Sequence, residues 1–219
     1  MINFIDILIK IKELGYDNIS RDSWWWPNSG TFEVVIGAIL TQNTKWENVE
    51  KSLKNLRDND LLSLEKLSYI ELQTLELLIT PSGFYRQKSK YIKLLSNNII
   101  SEFKTFNNFK NRVNREWLLN QKGIGKESAD AILNYACYKE AFVVDAYTNR
   151  LLNAFGYQFE SYDELQDWIV EQIYNNYSKI FPTLSRANAY ARIHGMIVEY
   201  VKDNSKGRVV KIDKINNNF

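Results

Sequence analysis

Cysteine is nearly absent. The 219 residues hold one, Cys137, which excludes an intramolecular disulfide and any multi-cysteine metal site. A reducing cytoplasm is therefore the expected location. Proline occurs three times, at positions 27, 81 and 182, so long segments run without a helix breaker. No apolar run approaches the roughly 20 residues that cross a membrane. The N-terminal MINFIDILIKIKELGYD interrupts its apolar residues with Asp6, Lys10 and Lys12 and lacks a small-residue cleavage pattern. An amphipathic helix is expected there rather than a signal peptide. Excess charge of one sign is missing too. A net charge of +2 gives no global attraction to nucleic acid, so such a partner would have to be met by a local patch.

Aromatics and helical stripes are what the chain has. Six tryptophans and thirteen tyrosines contribute to an aromatic content of 14%. Apolar residues recur at helical spacing in Trp46, Val49, Leu53 and Leu56, in Ile92, Leu95, Ile99 and Phe103, and in Leu165, Ile169 and Ile173. Ala187, Tyr190, His194, Ile197 and Val201 continue the pattern near the C-terminus. Ser161 with Glu164 forms a capping box before one of these stripes. Two-residue alternation is almost wholly missing; Ala141-Phe142-Val143-Val144 could be extended but has no obvious partner strand. The fold class is all-α, with roughly nine to eleven helices at ordinary helix and loop lengths. The polar, basic tail from Lys202 to Phe219 is expected to fray.

Glycine is scarce, yet Gly123 and Gly125 stand one residue apart in Gln121-Lys122-Gly123-Ile124-Gly125-Lys126. A nucleotide-binding loop needs a third glycine or a Gly-Lys-Ser/Thr ending after a strand, and this segment has neither. Helix, glycine hairpin, helix is the local reading. Exposed amides at a helix start, with Lys122 and Lys126 nearby, suit a phosphate oxygen. A tight turn without a ligand explains a bare G-x-G as well. Downstream, Val143-Val144-Asp145 precedes another helix, where Asp145 could act as an N-cap.

Together these features resemble the helix-hairpin-helix DNA glycosylases of the endonuclease III superfamily. The hairpin, the aspartate after a second helix and apolar run, Ile39-Leu40-Thr41-Gln42-Asn43-Thr44, and Pro81-Ser82-Gly83-Phe84-Tyr85-Arg86-Gln87-Lys88-Ser89 match that family in order, over about residues 30–200. The resemblance implies a two-lobed helical fold with a cleft between the lobes. One lobe would span 29–136, with its hairpin at about 115–136; the other would combine 1–28 with 137–219. Asp145 would be catalytic. Gly123, Ile124 and Gly125 would bind DNA phosphate through backbone amides, and Gln42 would fill the gap left by a flipped base. Three departures modify this picture. Glu127 stands where bifunctional members carry a Schiff-base lysine. Glu199 stands where relatives have the first cluster cysteine, so no iron-sulfur cluster is expected. Gln121-Lys122 replaces the usual Leu-Pro.

Trp24-Trp25-Trp26-Pro27-Asn28 is the most unusual stretch. Three consecutive tryptophans cannot all face a core, and Pro27 disfavours helix at Trp26. At least one is expected in the core. Trp24, Trp25 and Trp46 are the candidates to line a base pocket. Stacking on such rings is worth roughly 1–3 kcal/mol per base, with a cation–π addition for N3- or N7-alkylated purines, which are cationic. Those bases leave as neutral molecules, so little leaving-group protonation is required. An enzyme for such bases needs a stacking pocket and a carboxylate that stabilises an oxocarbenium-like sugar or positions water, as in glycoside hydrolysis. The resemblance is strongest to 3-methyladenine DNA glycosylases of the endonuclease III type. It implies a monofunctional enzyme acting on duplex DNA, monomeric, with no cofactor and no metal. A glycosylase for uracil, a mismatched pyrimidine or oxidised guanine, and a non-catalytic DNA-binding module, are the rival readings. His194 and Cys137 are expected to pack in the interior.

Overall fold

The computed structural model describes residues 3–17 and 22–216; the end of the tail, 217–219, lies outside them. The chain divides into two compact units. One comprises Met1–Pro27 with Lys139–Phe219, and the other Asn28–Tyr138.

In the first unit, α1 (Phe4–Ile11) is capped by Asn3 and buries Phe4, Ile5, Ile7, Leu8 and Ile11. It packs with α10 (Ala146–Ala154), α11 (Tyr162–Tyr174), α12 (Tyr177–Ile180) and α13 (Arg186–Asp203) around one apolar core. The capping box forms only in part, because the return bond goes to the residue before the cap. Ser161 Oγ accepts the Glu164 amide at 3.1 Å, while Glu164 Oε2 accepts the amide of Glu160. The tail departs from the expectation of fraying. Beyond α13, Ser205–Lys206 (β1) and Val209–Val210 (β2) form a small antiparallel hairpin, followed by α14 (Asp213–Asn216). Val210 and Ile215 are buried in the core, and Tyr200 donates its hydroxyl to the Lys211 carbonyl. Two apolar side chains in a polar stretch suffice to dock it.

In the second unit, every residue of α2 (Phe32–Leu40) is buried, as befits a helix that is apolar all round. Its one charge, Glu33, accepts hydrogen bonds from Asn28 and from Arg57. Around it run α3 (Trp46–Asp58), α4 (Leu64–Tyr69), α5 (Leu72–Leu78), α6 (Tyr85–Phe103), α7 (Phe106–Arg112), α8 (Arg115–Leu119) and α9 (Lys126–Ala131). A wider π turn, Ile132–Ala136, continues α9. Fourteen α-helices among the described residues exceed the nine to eleven expected. The surplus lies in helices such as α4, α7 and α8, too short to display a period but capped by Ser63, Thr105 and Asn114. The run 141–144 is buried and belongs to neither a helix nor a strand. No helix among the described residues is long and apolar enough to cross a membrane.

Candidate active site

The hairpin joins α8 to α9, and its two helices are tied by a bidentate ion pair. Arg115 Nε and a terminal guanidinium nitrogen lie 2.8 and 3.1 Å from the two oxygens of Asp130, a fully buried carboxylate. Within the turn the two glycines have different reasons to be glycine. Gly123 sits at φ +86°, and a Cβ there would lie 2.2 Å from the Tyr91 ring. Its role is conformational and steric. Gly125 is extended, at φ −92° and ψ 177°, and a Cβ there would meet nothing within 4 Å. Bare backbone facing open space at a helix start is what close approach of an anion needs.

The three hairpin amides are not equivalent. Ile124 donates to the Gln121 carbonyl at 3.1 Å, so its N–H is spent inside the turn and its side chain is buried. The amides of Gly123 and Gly125 have no acceptor among the described residues. Lys122 and Lys126 are exposed beside them. Gln42 is half-buried and engaged with the hairpin itself: its Nε2 donates to the Gly123 carbonyl at 2.8 Å and to Ser128 Oγ at 3.0 Å. Filling a gap in DNA would require it to exchange those bonds. Trp46 opens α3 and is half-buried.

The contrast between the glycines gives a clean test of phosphate binding. Gly125→Ala should keep the fold, losing at most about 1 kcal/mol at an N-cap. It should weaken binding to damaged and undamaged duplexes alike, because phosphate contacts carry no base information. Unchanged duplex affinity in that variant would remove the hairpin from the DNA contact. Gly123→Val is a poorer probe, since it strains the turn and strikes Tyr91.

In the other unit, Asp145 caps α10. Its Oδ1 accepts the Thr148 amide at 2.8 Å and the Thr148 hydroxyl at 3.0 Å. Its Oδ2 stands 3.5 Å from Nε2 of His194, and the aspartate side chain is 14% exposed. Burial pushes this carboxyl up, but the His194 imidazole and the two Thr148 donors outweigh it and hold Asp145 below the usual carboxylate range. Asp145 is thus ionised at neutral pH while remaining in partial contact with solvent.

The three tryptophans separate. Trp26 is 8% exposed and serves the interior. Trp25 is half-buried at φ +70°, a left-handed conformation that a bulky residue adopts only when its surroundings fix it. Those surroundings are visible. Its amide donates to the Asp22 carbonyl, its Nε1–H donates to Glu199 Oε1 at 3.2 Å, and its ring rests on Gly195. His194 meets the same ring edge-on, with centroids 5.3 Å apart. Asp145, His194 and Trp25 therefore form one contiguous arrangement. Trp24, half-buried, is held by its own amide to Asp22 Oδ1 at 2.8 Å. His194 is buried, as its apolar helix face implies, and also meets Asp145. Sequence reading missed Gly195 and Glu199 as the seat and anchor of Trp25. Phe84, within the 81–89 element, is 72% exposed at φ +46°.

The model of the HhH-GPD superfamily base excision DNA repair proteins matches residues 36–183. The chain belongs to that superfamily. A 3-methyladenine DNA glycosylase of H. pylori, solved with bound 1,N6-ethenoadenine, is 46% identical with a TM-score of 0.88, covering 94% of this chain and all of that one. A candidate DNA repair glycosylase of Methanocaldococcus jannaschii is 35% identical over 207 residues, 91% of this chain and 89% of its own length. Endonuclease III of Thermotoga maritima is 26% identical over 192 residues, 87% of this chain and 82% of its own. Within this superfamily, the chain is an all-helical glycosylase whose single cysteine cannot build a four-cysteine cluster. Among the described residues, no three His, Cys, Asp or Glu side chains gather as a metal site would need.

Proposed function

We propose that the protein is a monofunctional DNA glycosylase that removes alkylated purines of the 3-methyladenine type from duplex DNA. The observation that carries this reading is Asp145: an ionised carboxylate, partly open to solvent, linked through His194 to a tryptophan clamped at an unusual backbone angle. An oxocarbenium-like sugar is stabilised by such a charge, and a cationic purine leaves as a neutral base without a strong general acid. The rings proposed for the base are Trp24, Trp25 and Trp46, each offering stacking and cation–π attraction. The likeness to the H. pylori enzyme supports the substrate class. The ethenoadenine bound there is a neutral, extended purine, which fits stacking as the shared requirement. The Gly123 and Gly125 amides, with Lys122 and Lys126, are proposed to hold phosphate, and Gln42 and the exposed Phe84 to meet the duplex nearby.

Monofunctionality rests on Glu127, an exposed carboxylate one residue into α9, where no amine is offered for a Schiff base. Borohydride added during turnover should trap no covalent enzyme–DNA adduct, and strand breaks should need alkali or heat. Efficient trapping would assign the chemistry to another lysine and overturn this part of the reading.

A further inference from the structure

Lys88 is a charged side chain at 3% exposure, and base release as described makes no use of it. It lies in the first turn of α6. Its Nζ is 2.8 Å from the Leu40 carbonyl, 2.7 Å from Thr44 Oγ1 and 2.9 Å from the Ser82 carbonyl. An ammonium has three donors, and all three are used. The acceptors come from three segments: the end of α2, the loop that carries Gln42, and the turn that ends in Phe84. The Thr44 hydroxyl adds a direct link, lying 2.6 Å from the Ser82 carbonyl.

Both loops contain left-handed backbone. Asn43 sits at φ +52°, Gly83 at +64° and Phe84 at +46°. Conformations of this kind persist only where neighbouring structure over-determines them. Here the neighbouring structure is the Lys88 ammonium, which grips the residue next to Asn43 and the residue next to Gly83. The Gln42 loop is itself bonded to the Gly123 carbonyl. One buried cation thereby connects the loop, the turn and, through Gln42, the hairpin. Burial lowers Lys88 to about 8, so it is still mostly protonated at neutral pH.

We infer that Lys88 is a positioning residue, whose ammonium fixes the Gln42 loop and the Gly83–Phe84 turn as one preset DNA-facing surface; the inference rests on the glycosylase reading. The side chain touches neither DNA nor base. It acts by sparing the two loops the ordering they would otherwise undergo on binding.

The test compares Lys88→Met and Thr44→Val with wild type in the full chain, with thermal melts in parallel. Amide hydrogen exchange at 41–45 and 80–84 should quicken in both variants. Duplex affinity, and KM for an alkylated duplex, should worsen roughly tenfold, while release at saturating DNA stays within about threefold. If Lys88→Met does not fold, Thr44→Val decides, since it keeps the cation and its two carbonyl partners and removes only the Thr44 hydroxyl with its bonds to Lys88, Ser82 and Gln42. Wild-type exchange in the folded variants, faster exchange without loss of affinity, or a loss confined to kcat would each overturn the inference. A wild type that binds duplexes but releases no base would instead overturn the glycosylase reading. Variants with lost loop protection and lost affinity would then still assign Lys88 its role.

Discussion

Asp145→Asn should abolish base release while leaving fold and duplex binding nearly intact. Asparagine is close to isosteric and caps a helix about as well as aspartate, so the bonds from Thr148 can persist. What disappears is the charge. Removing a group that acts on the reacting bond typically costs roughly 10²–10⁴ in rate, far beyond any cap effect. Duplex affinity should hold or rise, because a negative charge facing phosphates is gone. The pH profile adds a second readout. Since the folded carboxyl is held below its ordinary value of about 3.9, its protonation cannot produce an acid limb in base release near neutrality. The sign for stability agrees: the contribution of Asp145 is present above its unfolded value and is lost as pH falls through the lower folded one. Wild-type turnover in Asp145→Asn would reduce this residue to a helix cap.

Gly195→Ala should impair the enzyme through Trp25. An alanine Cβ would lie 2.3, 2.6 and 2.7 Å from Cγ, Cδ1 and Cδ2 of the indole. Carbon pairs settle at about 3.5–4.0 Å, so the ring must move by about 1 Å. It cannot do so freely, with Nε1 bonded to Glu199 and its backbone held at φ +70°. Two stability effects oppose each other. Alanine in a helix interior gains about 1 kcal/mol over glycine, and overpacking costs about 1–3 kcal/mol. The melting temperature should therefore fall only modestly or stay level. Base release should fall much further, by roughly 10²-fold, as expected for an ångström-scale displacement in a site. A folded Gly195→Ala protein with full activity would show that the seat of Trp25 has no bearing on the reaction.

The helical class was legible because the physics is local. Val49, Leu53, Leu56, Ile92, Leu95 and Ile99 recur at helical spacing, and all are buried. The short helices α4, α7 and α8 show no period, yet Ser63, Thr105 and Asn114 announce their starts, and those caps were the overlooked signal. Hairpin and aspartate were readable as an ordered pattern. Their atomic detail was not, because it depends on contacts distant in sequence. Asp145 and His194 meet only through the packing of α10 on α13, and no local spacing announces it. Lys88 would be expected at a surface, until three carbonyl and hydroxyl oxygens converge on it. Trp25 is placed by Gly195 and Glu199, which follow it by most of the chain. In the tail, Val210 and Ile215 docked a segment whose composition pointed to solvent.

The central claim is that this protein releases 3-methyladenine-type bases by hydrolysis without cutting the strand. It is tested by incubating the full chain with duplexes carrying 3-methyladenine, hypoxanthine or uracil, then quantifying free base and strand breaks with and without alkali. The expected result is rapid release of 3-methyladenine, slower or no release of the neutral bases, and breaks only after alkali. Preferred release of hypoxanthine or uracil, or strand cleavage without alkali, would contradict it.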